Sequence, residues 1–311
     1  MILFDEINEH PRVRELHHAL QHGENLLMEE LWDSPKGFVI GLAQKVTGKH
    51  ILVLTGGGQE ESRLYHDLTY FTQRTVVDFP AWETLPNENI APSPDVVGDR
   101  YQILNTITTI KEPHVIISNL QACLQKVIPQ DRFKKLFLQL SVGESFPFEL
   151  LIVGLEEMGY IRSTVAADKG EYAVRGGIID LFPVSTPDPY RIEFFGDTIE
   201  SIRIYDPIGQ KSIEKVEKVS ITPAQELELI AGDGELQTLL DYLGPDTLIV
   251  FDDLLALEDR YASLVNVCGK PTRTFAGIDQ LFDSIKGKQT LYFSKQPIEQ
   301  LTEITIKEKL Q

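Results

Sequence analysis

Residues 171–206 form a series of strand-length runs with alternating side chains, and this series limits the possible folds more than any other part of the chain. Successive side chains of a strand point to opposite faces of a sheet, so these runs predict a half-buried sheet. One face would carry the apolar set Tyr172, Val174, Tyr190, Ile192 and Phe194. The other face would carry Ala173, Arg175, Arg191, Glu193 and Phe195.

The second of these faces presents two arginines, Arg175 and Arg191, together with one large apolar ring, Phe195. Two interpretations of this face are open. Exposed arginines are common, so it is possible to explain the face as an ordinary solvated surface. Arginine beside an exposed aromatic ring is also the composition of a binding hot spot, which favours a docking surface for another protein.

The charge of the chain restricts its partners. The 311 residues carry a formal net charge of −18, which argues against binding a phosphate backbone unaided and is compatible with docking onto a basic protein surface. Cys123 and Cys268 fit neither a zinc-site spacing nor a disulfide framework, which indicates a reducing, cytoplasmic location. We expect neither a signal peptide nor a membrane span, since a span requires about 20 consecutive apolar residues.

A glycine-rich turn follows the predicted buried strand Ile51–Leu54 and precedes a predicted helix, which is the layout of a phosphate-binding loop. Active phosphate-binding loops place a lysine and then a hydroxyl residue directly after these glycines. This chain has Gln59 and Glu60 there. A carboxylate within a few ångströms of a polyanion repels it by roughly several kcal/mol in a partly buried site. The loop residues Gly56, Gly57, Gly58, Gln59 and Glu60 therefore predict an inactive nucleotide site.

Two carboxylates, Asp252 and Asp253, follow the predicted buried strand 247–251. Their position resembles a degraded Walker B motif, in which an acidic pair holds magnesium and activates water. Without a lysine in the glycine loop this pair has little to catalyse. The simpler expectation is that it caps the helix beginning at Leu254.

The remaining periodicity gives a coarse secondary structure. Apolar spacing predicts helical structure over 11–33 and a helix over 146–160 with Leu150, Leu151, Val153, Leu155 and Met158 mostly on one face. Ser34–Gly37 reads as a turn, and 211–221 as a pair of strands. Further buried strands are expected at 114–119 and 290–293, and an amphipathic stretch at 304–311.

Two runs, EYAVRGGIIDLFP from Glu171 and YRIEFFGDTIESIRIYDP from Tyr190, give the chain a specific family resemblance. They resemble the second domain of UvrB of nucleotide excision repair. They are more similar still to the matching domain of Mfd, the family of transcription-repair coupling factors. The match runs unbroken to Asp206–Pro207. The resemblance implies a UvrA-binding module whose contact residues carry over to Arg175, Arg191 and Phe195.

The resemblance also implies a fold and a domain order. The fold would be α/β, with a discontinuous, UvrB-like degenerate P-loop domain at residues 1–137 and 223–311. An α+β UvrA-binding domain would be inserted at 138–222. RNA polymerase and DNA would bind through domains outside this sequence, which we expect to be part of a longer protein. ATP and magnesium would be needed only by the motor domains there, and no cofactor is expected in this segment.

Two rival functions remain open from the sequence. The chain could be an active UvrB-type, ATP-dependent damage-verification helicase. Magnesium-dependent ATP binding at the glycine loop would favour that function, and Gln59 and Glu60 argue against it. It could also be an autoinhibitory clamp, in which the arginine-bearing surface is covered by another part of a longer protein until activation.

Overall fold

The computed structural model describes residues 10–85, 88, 90–232, 234–269 and 271–297. The chain divides into two compact units, each built from separated segments. Unit 1 comprises Met1–Ala81, Thr106–Lys126 and Thr238–Gln311, and unit 2 comprises Trp82–Asn105 and Val127–Gln237. The predicted domains 1–137, 138–222 and 223–311 divide the chain at other positions, and they stay predictions.

The described residues form these helices, in chain order: α1 Pro11–Gln21, α2 Ser34–Thr47, α3 Gln59–Phe71, α4 Pro94–Thr109, α5 Leu120–Leu124, α6 Gln130–Leu136, α7 Phe148–Glu157, α8 Leu227–Ala231, α9 Leu239–Tyr242, α10 Leu254–Cys268 and α11 Ile278–Ile285. They form these strands: β1 Leu26–Met28, β2 His50–Thr55, β3 Val76–Phe79, β4 Val115–Asn119, β5 Leu138–Ser141, β6 Ile161–Arg162, β7 Glu171–Arg175, β8 Ile178–Leu181, β9 Tyr190–Phe195, β10 Thr198–Asp206, β11 Lys211–Val216, β12 Lys218–Ile221, β13 Thr247–Phe251 and β14 Thr290–Phe293.

Unit 1 is built on a parallel sheet with the strand order β1-β14-β13-β2-β4-β3. Its central strands are continuous aliphatic runs because both faces of a parallel sheet are covered. Side chains of β2, β4, β13 and β14 are buried in one core with residues of α1, α2 and α3. These four strands confirm the strands predicted from buried apolar runs.

Two predictions in the first part of unit 1 are wrong. Leu26–Met28, predicted as helical, is a strand that pairs in parallel with β14 at the edge of the sheet. Ser34–Gly37, predicted as a turn, is the first turn of α2, with Pro35 near its start. Proline is favoured at the first helical position because its fixed φ suits a helix and its missing N–H would have no partner there.

Unit 2 contains a second sheet with the order β11-β10-β9-β8-β7-β6. Helix α7 covers one face of this sheet: Tyr172 donates a hydrogen bond to Glu156 at 2.8 Å, and the Phe148 and Phe194 rings meet edge to face. Leu151 and Leu155 of α7 are buried. Leu150 and Val153 are exposed, so the apolar face predicted for this helix is narrower than expected.

The strands predicted at 211–221 exist, but they do not pair with each other. Strand β11 pairs antiparallel with β10 at the edge of the larger sheet. Strand β12 instead pairs antiparallel with β5 in a separate two-stranded sheet. The pairing of β12 with β5 joins segments about 80 residues apart, a long-range contact that local periodicity does not reveal.

A buried ion pair lies inside unit 2. Arg100 and Glu226 are both fully buried, and Glu226 accepts from Arg100 Nε at 2.8 Å and Nη2 at 3.1 Å. The Trp82 indole N–H donates to the same carboxylate at 2.7 Å, and the Arg100 guanidinium lies over the Trp82 ring. The bidentate contact and the indole bond together satisfy a carboxylate that would otherwise be costly to bury.

Two histidines of unit 1, His50 and His114, lie edge to face with their ring centroids 4.3 Å apart. Burial lowers the pKa of both, and the neighbouring His114 lowers the pKa of His50 further, against the opposing charge of Asp246. The Glu112 carbonyl, which contacts the His114 ring, opposes the shift of the His114 pKa.

We expect the unfolding free energy to fall as the pH drops below about 6.5, the ordinary histidine pKa. Below that pH the unfolded chain takes up protons that the folded chain refuses until its lower pKa is reached. Urea unfolding at about pH 7.5 and 5.5 measures this loss. It should shrink in a His50→Gln/His114→Gln variant and persist in His10→Gln, which changes an exposed ring. An equal loss in all three proteins contradicts the assignment to this pair.

Within the residues that the structure describes, no helix is both long and apolar enough to cross a membrane. Cys123 is buried in α5. The amphipathic stretch predicted at 304–311 lies outside the described residues.

Candidate functional site

Two glycine turns shape the sheet of unit 2 at one end. Gly176 and Gly177 join β7 to β8, with Arg175 paired to Ile178 across the turn. Gly196 and Asp197 join β9 to β10, with Phe195 paired to Thr198. Gly176 and Gly196 each have φ of 59°, as two-residue hairpin turns require. Arg175 and Phe195 consequently lie next to turns at the same end of the sheet.

The strand register brings the three residues singled out in the sequence to one face. Ala173 pairs with Asp180, and Asp180 with Arg191, while Ile178 pairs with both Arg175 and Glu193. Arg175, Arg191 and Phe195 therefore share the face opposite α7, here called the arginine face. The face also carries Glu171, Asp180, Glu193, Arg203 and Lys215.

Phe195 and Arg175 are the accessible members of the set. Phe195 is 77% exposed, and its neighbour in the chain, Phe194, is buried on the opposite face. Arg175 is exposed and donates one hydrogen bond, from Nη2 to the Thr164 carbonyl at 3.0 Å. With β8 between their strands, the two Cα atoms are about 12 Å apart. A long charged side chain and a planar ring are thus available to one partner.

Arg191 is held much more firmly than the sequence suggested. Its Nε donates to Asp180 Oδ1 at 2.6 Å and its Nη2 to Asp180 Oδ2 at 2.8 Å. The guanidinium lies over the Tyr205 ring, 4.8 Å from its centroid. The hydrogen bond to Asp180 raises the pKa of Arg191. This bidentate pair fixes the guanidinium plane, and Nη1 also donates to the Gln210 carbonyl at 3.4 Å, which leaves the second N–H of Nη1 for an outside acceptor.

The carboxylates of the arginine face are occupied within unit 2. Asp180 pairs with Arg191, and Glu193 accepts from Arg203 Nη2 at 2.8 Å and from Ser201 at 2.7 Å. Glu171 accepts from the backbone N–H groups of residues 167 and 168. Asp180 and Glu193 each have a cationic partner, which leaves Arg175 and Lys215 against Glu171 and hence a small positive charge for a partner, in a chain whose net charge is −18. Such a face favours an acidic patch on the partner.

Sequence reasoning missed Asp180 and Gln210, which hold Arg191. Gln210 lies in the turn between β10 and β11 and accepts from Arg191 Nη2 at 3.1 Å. Alternation along β8 places Asp180 on the arginine face, so that contact was predictable once the hairpin register was known. The Gln210 contact spans 19 residues and depends on the geometry of the turn.

The glycine loop and the acidic pair meet at the carboxyl edge of the sheet in unit 1. Gly56–Gly58 connect β2 to α3, and Asp252 and Asp253 follow β13, which pairs in parallel with β2. A cavity of about 360 Å³ lies there, with Gly56, Gly57, Glu60 and Asp252 among its lining residues. The carboxyl edge of a parallel sheet is where ligands of such folds bind.

Two lysines pair with three of the carboxylates at this cavity. Lys295 Nζ contacts Glu60 Oε1 at 2.6 Å and Oε2 at 2.8 Å, and Asp253 Oδ2 at 3.2 Å. Lys36 pairs with Asp252 at 2.7 Å, both side chains being buried. The hydrogen bond from Lys295 lowers the pKa of Glu60, whereas burial raises the pKa of Asp252 against the attraction of Lys36. Asp253 occupies the N-cap position of α10, but its side chain makes no capping hydrogen bond there. The predicted capping role is therefore wrong, because the carboxylates pair with the two lysines instead.

Sequence reasoning did not single out either lysine. Lys295 is 235 residues from Glu60, and Lys36 belongs to a segment predicted as a turn. Gln59 is exposed at the first position of α3. The structure brings the loop and the acidic pair to one cavity, and the Lys295 ammonium group lies between Glu60 and Asp253.

Comparison with known proteins gives two findings. Residues 138–227 match the family model of the UvrB interaction domain. The chain is 30% identical over 205 residues to the transcription-repair-coupling factor of Escherichia coli K12, which is 66% of this chain and 18% of that protein. It is 30% identical over 213 residues to that of Bacillus subtilis 168, covering 68% of this chain and 18% of the relative. The chain thus spans less than a fifth of the length of these curated relatives.

Proposed function

We propose that this chain recruits UvrA through the arginine face. Its residues 138–227 match the UvrB interaction domain, and the chain is similar to transcription-repair-coupling factors. The observation that supports this most is that Arg175, Arg191 and Phe195 all lie inside the matched segment and on one face of its sheet. UvrA would bind where the chain presents the surface that UvrB uses, so recruitment would work by mimicry of UvrB.

The three residues would contribute in different ways. Phe195 would enter an apolar pocket and supply the desolvated centre of the interface, the usual role of an exposed aromatic hot spot. Arg175 would pair with a carboxylate of UvrA, and its long side chain would lose conformational freedom on binding. Arg191 is already fixed by Asp180 and Gln210, so the remaining N–H of its Nη1 would bind at a smaller entropic cost.

In a longer protein containing this chain, recruitment would be coupled to transcription. A motor elsewhere would displace an RNA polymerase stalled at a lesion, and the arginine face would bring UvrA to that place for nucleotide excision repair. RNA polymerase and DNA would bind outside this segment. The location would be the cytoplasm, where these partners act.

We also propose that unit 1 is a UvrB-like, degenerate P-loop lobe without ATPase activity. Gln59 and Glu60 replace the lysine and hydroxyl that would hold phosphate and magnesium, and Lys295 already pairs with Glu60 and Asp253. A nucleotide would have to break these contacts to enter the cavity. ATP and magnesium would serve only motor domains outside this chain.

Calorimetric titration of UvrA into this chain tests the recruitment proposal. We expect Phe195→Ala to weaken binding by about 2 kcal/mol or more, roughly 30-fold, and Arg175→Ala by about 1–2 kcal/mol. Both residues are exposed, so the fold should be unaffected. Arg191→Ala should also weaken UvrA binding by about 2 kcal/mol or more. This variant leaves the buried Asp180 without its cation, so it changes the fold's stability as well as the contact with UvrA.

Tyr70→Ala is the matched control for Phe195→Ala, because Tyr70 is an aromatic side chain 83% exposed in unit 1. Its UvrA affinity should equal that of the unchanged chain. If the chain binds UvrA and Phe195→Ala and Arg175→Ala bind it equally well, the arginine face is not the contact surface. If the unchanged chain does not bind UvrA, recruitment itself is refuted.

A further inference from the structure

The turn between β10 and β11 is closed by side-chain hydrogen bonds and carries an exposed isoleucine. Asp206 Oδ1 accepts from the Ile208 N–H at 3.0 Å, and Oδ2 accepts from the Gly209 N–H at 3.0 Å. Gln210 Nε2 donates to the Pro207 carbonyl at 2.7 Å. Ile208, at the tip of this turn, is 94% exposed.

This turn is tied directly to the arginine face. The Arg191 guanidinium donates from Nη2 to Gln210 Oε1 at 3.1 Å and from Nη1 towards the Gln210 carbonyl at 3.4 Å. Gln210 holds a left-handed conformation, with φ of 54°. A residue other than glycine is strained there, and such strain persists where the surrounding contacts impose it. Gln210 thus keeps a strained backbone conformation in which its side-chain amide lies between the turn and Arg191.

The position of Ile208 suits a contact at the rim of the same interface as Phe195. Strands β9 and β10 run antiparallel, with the Gly196–Asp197 turn at one end and the 207–210 turn at the other. Their strand rise separates Phe195 from Ile208 by about 25 Å. A standard interface buries roughly 800 Å² on each partner, a patch about 30 Å across. Phe195, Arg191 and Ile208 fit within one such patch.

We propose that the turn Asp206–Lys211 is a second contact element of the arginine face. Ile208 inserts into an apolar depression of the protein that binds Arg175 and Phe195, and Gln210 is a positioning residue that orients Arg191. The partner surface would combine that apolar depression with carboxylates, since the charge left on the arginine face is positive. The inference rests on the proposed function, in which UvrA is that protein.

Titration of UvrA into two variants of the chain tests this inference. Ile208→Ser should weaken binding about tenfold, because it removes an apolar contact without touching the fold. Gln210→Gly should weaken binding several-fold, through loss of the amide that orients Arg191. Glycine accepts a positive φ without strain, so resistance of this variant to urea should be unchanged or higher.

A double-mutant cycle separates positioning from a merely structural role. In the Arg191→Ala background, Gln210→Gly should have no further effect on UvrA affinity, because the side chain that Gln210 orients is absent. Additive losses would overturn the positioning role. Leu150→Ser is the matched control for Ile208→Ser, since Leu150 is 56% exposed on α7, over the opposite face of the sheet. It should bind UvrA as the unchanged chain does.

The outcomes distinguish this inference from the proposed function. Weak binding of Phe195→Ala together with unchanged binding of Ile208→Ser and Gln210→Gly overturns the inference and leaves recruitment standing. Failure of the unchanged chain to bind UvrA overturns both. Loss in Ile208→Ser, with Leu150→Ser unaffected, supports the turn as part of the interface.

Discussion

Replacing Glu226 with alanine is expected to lower the unfolding free energy of unit 2 by about 3–5 kcal/mol. The change leaves the guanidinium of Arg100, which is fully buried, without its carboxylate and removes the acceptor of the Trp82 indole N–H. Removing one partner of a buried ion pair is far more destabilising than losing a surface ion pair, which is worth about 0–1 kcal/mol. The loss should bring the urea midpoint of unit 2 down sharply.

The fluorescence of Trp82 measures the urea unfolding of unit 2 directly. The chain has two tryptophans, so a Trp32→Phe background leaves Trp82, in unit 2, as the single tryptophan. Glu228→Ala is the control, because Glu228 is an exposed glutamate two residues further along the same segment. We expect it to change the unfolding free energy by at most about 0.5 kcal/mol. Equal midpoints for Glu226→Ala and Glu228→Ala would show that the buried pair contributes little.

Gly98→Ala is expected to destabilise unit 2 by about 3 kcal/mol. A Cβ on Gly98 would lie 2.1 Å from the Val184 carbonyl oxygen and 2.5 Å from its carbon, so backbone must move to admit it. Close-packed interiors cannot absorb such an overlap without displacing their neighbours. The expected sign is opposite to the usual effect of replacing a helix glycine with alanine.

Gly154→Ala supplies the comparison within the same unit. Gly154 lies inside α7, and the nearest atom to an added Cβ is Leu138 Cδ1 at 3.9 Å, an ordinary contact. Alanine is a better helix former by about 0.8–1 kcal/mol, so this variant should be more stable than the unchanged chain. Thermal or urea unfolding of the two variants should move in opposite directions. Movement in the same direction would contradict the packing described at Gly98.

The strands were the part of the fold most readable from the sequence. Buried aliphatic runs in unit 1 and alternating runs in unit 2 produce strong local patterns, and both kinds became strands as predicted. Leu26–Met28 was misread because three apolar residues fit a helical spacing as well as a strand. Pairing with β14, about 265 residues away, decides its conformation, and no local pattern contains that contact.

The candidate site was readable only in part, for a similar reason. Alternation placed Arg175 and Phe195 on one side of a sheet, and each is exposed there. Alternation did not show that Arg191 forms a bidentate pair with Asp180, because that contact depends on the register between β8 and β9. No motif predicted the contact between Lys295 and Glu60, since side chains from distant strand ends meet only after the parallel sheet has formed.

The buried triad of Trp82, Arg100 and Glu226 has a consequence for dissecting the protein. A recombinant piece cut at 138–227 would keep the glutamate and discard the arginine and the indole that satisfy it. Such a piece would expose to water the Glu226 carboxylate, which is fully buried in unit 2. It would also lack helix α4, which supplies the counter-ion Arg100. Expression of the interaction module by itself should therefore start upstream of Trp82, with the intervening segments retained or bridged by a linker.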